Sequence, residues 1–389
     1  MTKQNIITAI LAIVVFGILG LFSYFAFTKF SPTKTLTTAP LQTPGSAGQL
    51  VFNPQAPKTE ACPLNGVLYS KEQKNWWEQH RPLGVMIENH EDARPQSGLS
   101  SADVIYEAVA EGGITRFLAV FYCQDAGIVG PIRSARTYFL DFISEYGSNP
   151  LYTHVGGANA AGPADALSQI DEYGWGGYND MNQFSIGFPV FWRDYNRLGH
   201  PAATEHTMYS TTQKLWDFAK NSRGLTNVDK NGDSWDKNFV KYSFKDDASV
   251  SDRPTSQKVH LEFWSSTPSY FVDWIYDKTS NLYKRVNGGK PHIDLDTGKQ
   301  LTAKNIVVLY MRQSHALDGY EDNIHLLYAD KGTGNALVFR DGKETKATWE
   351  KDSRTSRTLL FDTNGKPIKF DRGNIWFSIL PTDGVVKVD

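Results

Sequence analysis

The sequence predicts an α+β protein: an N-terminal mixed α/β domain, then a small antiparallel β-rich domain, behind one N-terminal transmembrane helix. Three observations predict this. No charge occurs between Lys3 and Lys29, and residues 6–27 supply the roughly 20 apolar positions a bilayer-spanning helix needs. From about 61 to 222, short β-rich apolar runs alternate with helical periodicities, whereas beyond 258 every run reads as strand bounded by turn residues. At 389 residues the chain also exceeds the roughly 250–300 residues that one core usually serves, so two domains are expected.

Residues 1–30 read as a cytoplasmic stub and anchor. The apolar run is longer than the about 7–15 residues of a cleavable signal core, and "FSYFAFTKF" lacks a small-x-small exit, so the helix is expected to stay attached. Lys3 against Lys29 and Lys34 leaves its orientation open. Residues 31–60 are rich in Pro, Thr, Gly and Ser and read as a flexible linker. The first domain, 61–222, opens with a helix in "KEQKNWWEQH" and strands in "LGVMIE", "DVIYEAVA" and "ITRFLAVFY". "ARTYFLDFISEY" reads as an amphipathic helix with Phe139, Phe142, Ile143 and Tyr146 on one face. "LYTHVGG" is a strand ending in glycines, and "GPADALSQI" and "TTQKLWDFAK" are helices. A polar linker is expected over 223–258, and the domain at 259–389 is strand and turn throughout, with hairpin signals in "RDGK" and "TNGK".

Forty Lys and Arg against 42 Asp and Glu give no global basic field, which excludes non-specific nucleic-acid binding. Any basic function is therefore local. No nucleophile elbow, H-E-x-x-H, phosphate-cradling loop or C-x-x-C is present, so no catalytic class is announced, and neither metal nor cofactor is expected. "DKNGDSWD" from Asp229 lacks the sixth-position Gly and terminal Glu of a calcium loop. His292, Asp294 and Asp296 would share a face if "PHIDLDTG" were a strand, but the segment reads better as a hairpin shoulder. Cys62 and Cys123 are an even pair and a disulfide candidate, usable in an oxidising compartment.

The local basic feature is "GPIRSARTYF". Ser134 is the expected N-cap of the aromatic helix, which puts Arg136 in a first turn whose dipole opposes a cation by about 0.3–1 kcal/mol. Neither Arg133 nor Arg136 has a carboxylate four residues on, since Thr137 and Leu140 stand there. Two guanidiniums beside free helix N–H groups suit an anion. The competing reading is an internal ion-pair network with Glu88, Asn89, Glu107 and Glu111. Arg116, Arg193 and Arg197, with His154 and His206 interspersed, extend the charged set.

"RPLGVMIENHEDARPQSGLSSADVIYEAVAEGGITRFLAVF", "VGPIRSARTYF" and "HTMYSTTQKLW" resemble the N-terminal domain of the YerB-like lipoproteins, a bacterial family of unknown function. "YKRVNGGKPHIDLDTGKQLTAKNIVVL", "TWEKDSRTSRTLLFDTNGKPI" and "GNIWFSILP" resemble its C-terminal β-rich domain. The resemblance implies a bacterial envelope protein with its folded part extracytoplasmic, and no established reaction. Its motif positions fall on Glu88, Asn89, Arg94, Pro95, Glu107, Glu111, Gly112, Gly113, Arg116, Arg133, Ser134, Arg136, His154, Arg193, Arg197 and His206. Two departures are visible: a spanning helix replaces the lipid-attachment cysteine, and Thr207 stands where the pattern implies Asn.

The expectation is a single-pass membrane protein whose site binds an anionic envelope glycan or peptidoglycan fragment. Its ligand-binding set is Asn89, Arg94, Glu111, Arg116, Arg133, Ser134, Arg136, Arg193 and Arg197. One alternative is a hydrolase or transferase with Glu88 or Glu107 as acid/base and His154 or His206 moving the proton. Another is a scaffold whose β-rich domain docks an envelope protein partner through Trp264 and Trp274.

Overall fold

The apolar runs pair into one ten-stranded mixed sheet. Its strands, in chain order, are β1 (Leu83–Glu88), β2 (Val104–Glu111), β3 (Ile114–Phe121), β4 (Leu151–His154), β5 (Asp180–Asn182), β6 (Asn305–Met311), β7 (Gly332–Arg340), β8 (Lys343–Lys351), β9 (Leu359–Asp362) and β10 (Ile375–Pro381). The order across the sheet is β9-β8-β7-β6-β10-β2-β3-β1-β4-β5. Strands β1, β2 and β4 run in one direction with β3 antiparallel between β1 and β2, so Glu88, Glu111 and His154 all end at one edge of the sheet, where β3 begins. The β2–β3 turn is Gly112–Gly113, both at positive φ (55° and 80°), as the tight hairpin requires.

The computed structural model describes residues 49–389. The apolar run 6–27, on which the membrane expectation rests, lies outside the described residues, and among the described residues no helix is long and apolar enough to cross a membrane.

Segments 61–222 and 259–389 share this sheet. Strand β10 enters parallel to β2, pairing Ile375 with Val104 and Ser378 with Glu107, and the described residues fall in one compact unit. The polar stretch between the segments is tied down: Trp235 is buried with its indole N–H donating to the Tyr122 hydroxyl at 3.1 Å, and Phe239 and Tyr242 join the core. Residues 49–60, expected as part of the linker, are held in the fold. The Leu50 amide donates to the Asp125 carboxylate at 2.6 Å, Phe52 packs on Trp76 at 5.5 Å, and Lys58–Ala61 is a strand paired with Leu68–Ser70.

The helices are α1 (Lys71–Trp77), α2 (Thr137–Ile143), α3 (Ala166–Glu172), α4 (Gln183–Ile186) and α5 (Thr212–Arg223). Helix α2 is not amphipathic: Tyr138 to Ile143 are all buried, because it lies against the sheet under loops and the second segment. It sits so close to β1 that a Cβ at Gly84 would meet the Ile143 Cδ1 at 2.7 Å, so a side chain there would force Ile143 to shift. A smaller antiparallel sheet, including strands Lys258–Glu262, Val272–Asp277 and Leu282–Asn287, packs on the large one through Trp274 against Trp376 at 5.1 Å.

Candidate functional site

The segment "GPIRSAR" runs extended, stitched on three sides. The Arg133 amide donates to the Met86 carbonyl and the Glu88 amide to the Pro131 carbonyl, both at 2.9 Å, aligning it with the end of β1. The Val155 amide donates to the Arg133 carbonyl at 3.1 Å beyond β4, and the Ile132 amide to the Met208 carbonyl at 2.7 Å. These bonds bring Arg133, Glu88 and His206 together. Ser134 is not the helix cap. Helix α2 starts at Thr137, and Arg136 occupies the cap position without a side-chain cap bond.

Two carboxylates organise the charges. Glu111 bridges two guanidiniums: its Oε1 accepts from Arg116 Nη2 at 2.9 Å and its Oε2 from Arg136 Nη2. Burial alone would raise the Glu111 carboxyl, but Arg116 and Arg136 outweigh it and hold the pKa at about 2. Glu88 bridges the other pair, with Oε1 3.0 Å from Arg133 Nε and Oε2 2.8 Å from His206 Nδ1. The hydrogen bond to Glu88 raises the His206 pKa against the opposing effect of burial. Burial lowers the Arg133 pKa, partly offset by Glu88. Arg193 is exposed and reaches the Thr204 carbonyl and the Thr207 hydroxyl, beside His206.

Other members of the expected set are committed elsewhere. Glu107 is fully buried: Oε1 accepts from Thr115 at 2.9 Å and Arg285 at 2.8 Å, and Oε2 from the Trp376 indole at 3.1 Å. It is a strut between the segments, out of reach of a substrate. Asn89 Oδ1 gathers Arg94, Gln96 and Asn287, and Arg94 also donates to the Ser269 carbonyl. His154, fully buried, has both ring nitrogens occupied, by Asp180 Oδ1 and the Gly156 carbonyl at 2.6 Å each. Arg197 joins Ser97 to Asp296. Ser134 contributes its carbonyl to Arg116. Cys62 and Cys123 are joined in a disulfide.

His292, Asp294 and Asp296 do not form a patch. His292 is buried against Arg285 and Gln96, Asp294 accepts the Ser100 amide, and Asp296 takes Arg197. The Asp229 loop is closed by its own amides, from Asn231 and Asp233. Trp274 is fully buried with the Arg285 guanidinium 5.2 Å from its ring, so it cannot dock a partner.

The sequence reading passed over Asp180, Arg285, His90 and Asp92. The last two stand in "IENHED", directly after β1, where the H-x-D spacing is the signal that could have marked them. A cleft of 630 Å³ lies away from these residues, beside Arg354 and Tyr173. A second, 460 Å³, opens at the seam of the two segments, lined by Asp92, Arg94, Ser269, Asn287 and His292.

A sheet built jointly by two chain segments, with arginine–carboxylate pairs gathered at its strand ends, defines a class of two-segment α+β proteins with a charged edge site. The chain matches the N-terminal domain of a protein family of unknown function (DUF3048) over residues 65–226 and that family's C-terminal domain over residues 259–377, and it belongs to this family. It is 29% identical over 329 residues to the "Putative lipoprotein YerB" of Bacillus subtilis (strain 168), spanning 84% of this chain and 88% of that protein. The crystal structure of the YerB protein from Bacillus subtilis superposes with a TM-score of 0.68 at 25% identity, covering 85% of this chain and all of that one.

Proposed function

We propose that this is an anchored extracytoplasmic binding protein that captures an anionic group of the cell envelope, a phosphorylated glycopolymer or a peptidoglycan fragment, with Arg133 as the guanidinium that meets it. The observation that carries this reading is the division of labour among the arginines. Arg116 and Arg136, with side chains 2% and 8% exposed, are held by Glu111, whereas the Arg133 side chain is 25% exposed and shares Glu88 with His206. A guanidinium has five N–H donors, and the contact with Glu88 involves only Nε, leaving donors for an incoming oxyanion. Exposed Arg193 adds a second cation on the same rim.

The location is supported from three sides. Residues 6–27 have the length and apolarity of a spanning helix, a disulfide persists in oxidising compartments, and the Bacillus relative is named as a lipoprotein. The sequence contains two cysteines and both are in the disulfide, which supports reading the apolar run 6–27 as the anchor.

The test is isothermal titration of the full chain in detergent with poly(glycerol phosphate), muropeptides and inorganic phosphate. The reading expects saturable binding to one of the polymers, weakened by salt and reduced about tenfold or more by Arg133→Ala. No saturable binding by the wild type to any of the three would withdraw it.

A further inference from the structure

We propose that His90, Asp92 and His206 form a site for a divalent transition metal of the zinc class, with Glu88 orienting His206 from behind. The proposal stands independently of the anion reading. One ligand atom from each of the three residues lies within 4.8 Å of the other two. His90 Nδ1 and Asp92 Oδ2 are 3.7 Å apart, against about 3.3 Å for two ligands of a tetrahedral zinc with bonds near 2.0–2.1 Å. The pair is thus close to a chelating separation.

His206 supplies the fixed ligand. It is buried, and its Nδ1 is held at 2.8 Å by Glu88 Oε2, which leaves Nε2 as the nitrogen for the metal. This is the carboxylate–histidine–metal arrangement that sets ring orientation and raises ligand basicity. His90 is half-buried and Asp92 exposed, so the two rim ligands can adjust. Some adjustment is required. The His90 ring stacks on His206 at 4.8 Å and 15°, while imidazole lone pairs lie in the ring plane, so His90 must turn and release the Asp92 amide that donates to its Nδ1 at 3.2 Å. Glu88, Asp92 and exposed Glu205 offset the positive charge of nearby Arg133.

Two imidazoles and one carboxylate favour zinc-class ions over magnesium or calcium, which prefer all-oxygen sets. Three protein ligands leave one tetrahedral position open, as in zinc sites that bind a water or a ligand group. Asp92 also lines the 460 Å³ seam cleft, so that open position is reachable from outside.

The experiment uses the full chain in detergent, without a polyhistidine tag, stripped by chelator and titrated with Zn²⁺ by calorimetry and with Co²⁺ by visible absorption. The expected result is one saturable equivalent and a tetrahedral Co²⁺ spectrum. Affinity should fall about tenfold or more in His90→Ala and in Asp92→Asn, and about 10–100-fold in Glu88→Gln, while exposed His200→Ala stays at the wild-type value. His206→Gln should abolish binding; if it fails to fold, the two rim variants decide alone. No saturable binding by the wild type, or binding unchanged in both His90→Ala and Asp92→Asn, overturns the proposal.

Discussion

Glu111 governs two arginines, and the consequence can be measured by pH. Its folded pKa of about 2 lies below the ordinary 4.5, so the ion-pair contribution is complete above pH 4.5 and is lost as pH falls toward 2. That interval corresponds to about 3 kcal/mol of stability. Glu111→Gln should lower stability at pH 7 by about 2–3 kcal/mol and flatten the acid limb of an unfolding-against-pH series, read by chemical denaturation. The internal ion-pair reading named Glu88 and Glu111 from sequence, but not which arginine each holds. Glu111 and Arg136 are 25 residues apart and meet because a hairpin end and an extended segment converge. A search for partners four residues along a helix cannot see that, and it failed because Arg136 is not inside one. His154 misled for a related reason: its partner Asp180 lies on a neighbouring parallel strand, invisible to local spacing.

At the scale of elements, the disulfide closes a loop whose ends are 61 residues apart, worth about 4 kcal/mol in the chain-entropy account. Cys62→Ser with Cys123→Ser should reduce the unfolding free energy by about that amount, with the denaturant midpoint as the readout. Strand positions were legible because β-rich runs between turn residues leave few choices. The hairpin at "RDGK" forms with Asp341 and Gly342 at φ 51° and 69°, the left-handed pair its sequence calls for. Helix α2 was legible as a helix but not as a buried one. Its polar Asp141 is buried and paired with Lys331 from the second segment.

For the whole molecule, the mixed α+β character followed from the run pattern, but the shared sheet did not. The parallel pairing of β10 with β2 joins residues some 270 apart in sequence, as the register of Ile375 with Val104 shows, and no local signal encodes it. Buried ion pairs fasten the same seam: Glu107 with Arg285, both without side-chain exposure, and Glu145 with Lys351 and Arg357. Arg285→Ala should therefore cost about 3–5 kcal/mol, because it strands a buried carboxylate. The full chain should unfold in a single transition monitored at several wavelengths, and a chain ending after residue 226 should not unfold cooperatively. The most direct test of the central claim, that Arg133 faces the ligand while Arg136 holds the fold, compares Arg133→Ala with Arg136→Ala in melting temperature and in binding to poly(glycerol phosphate). The account predicts that Arg133→Ala keeps the wild-type melting temperature within a few degrees and loses binding, whereas Arg136→Ala melts clearly lower. Wild-type binding by Arg133→Ala, or equal destabilisation of both variants, would contradict it.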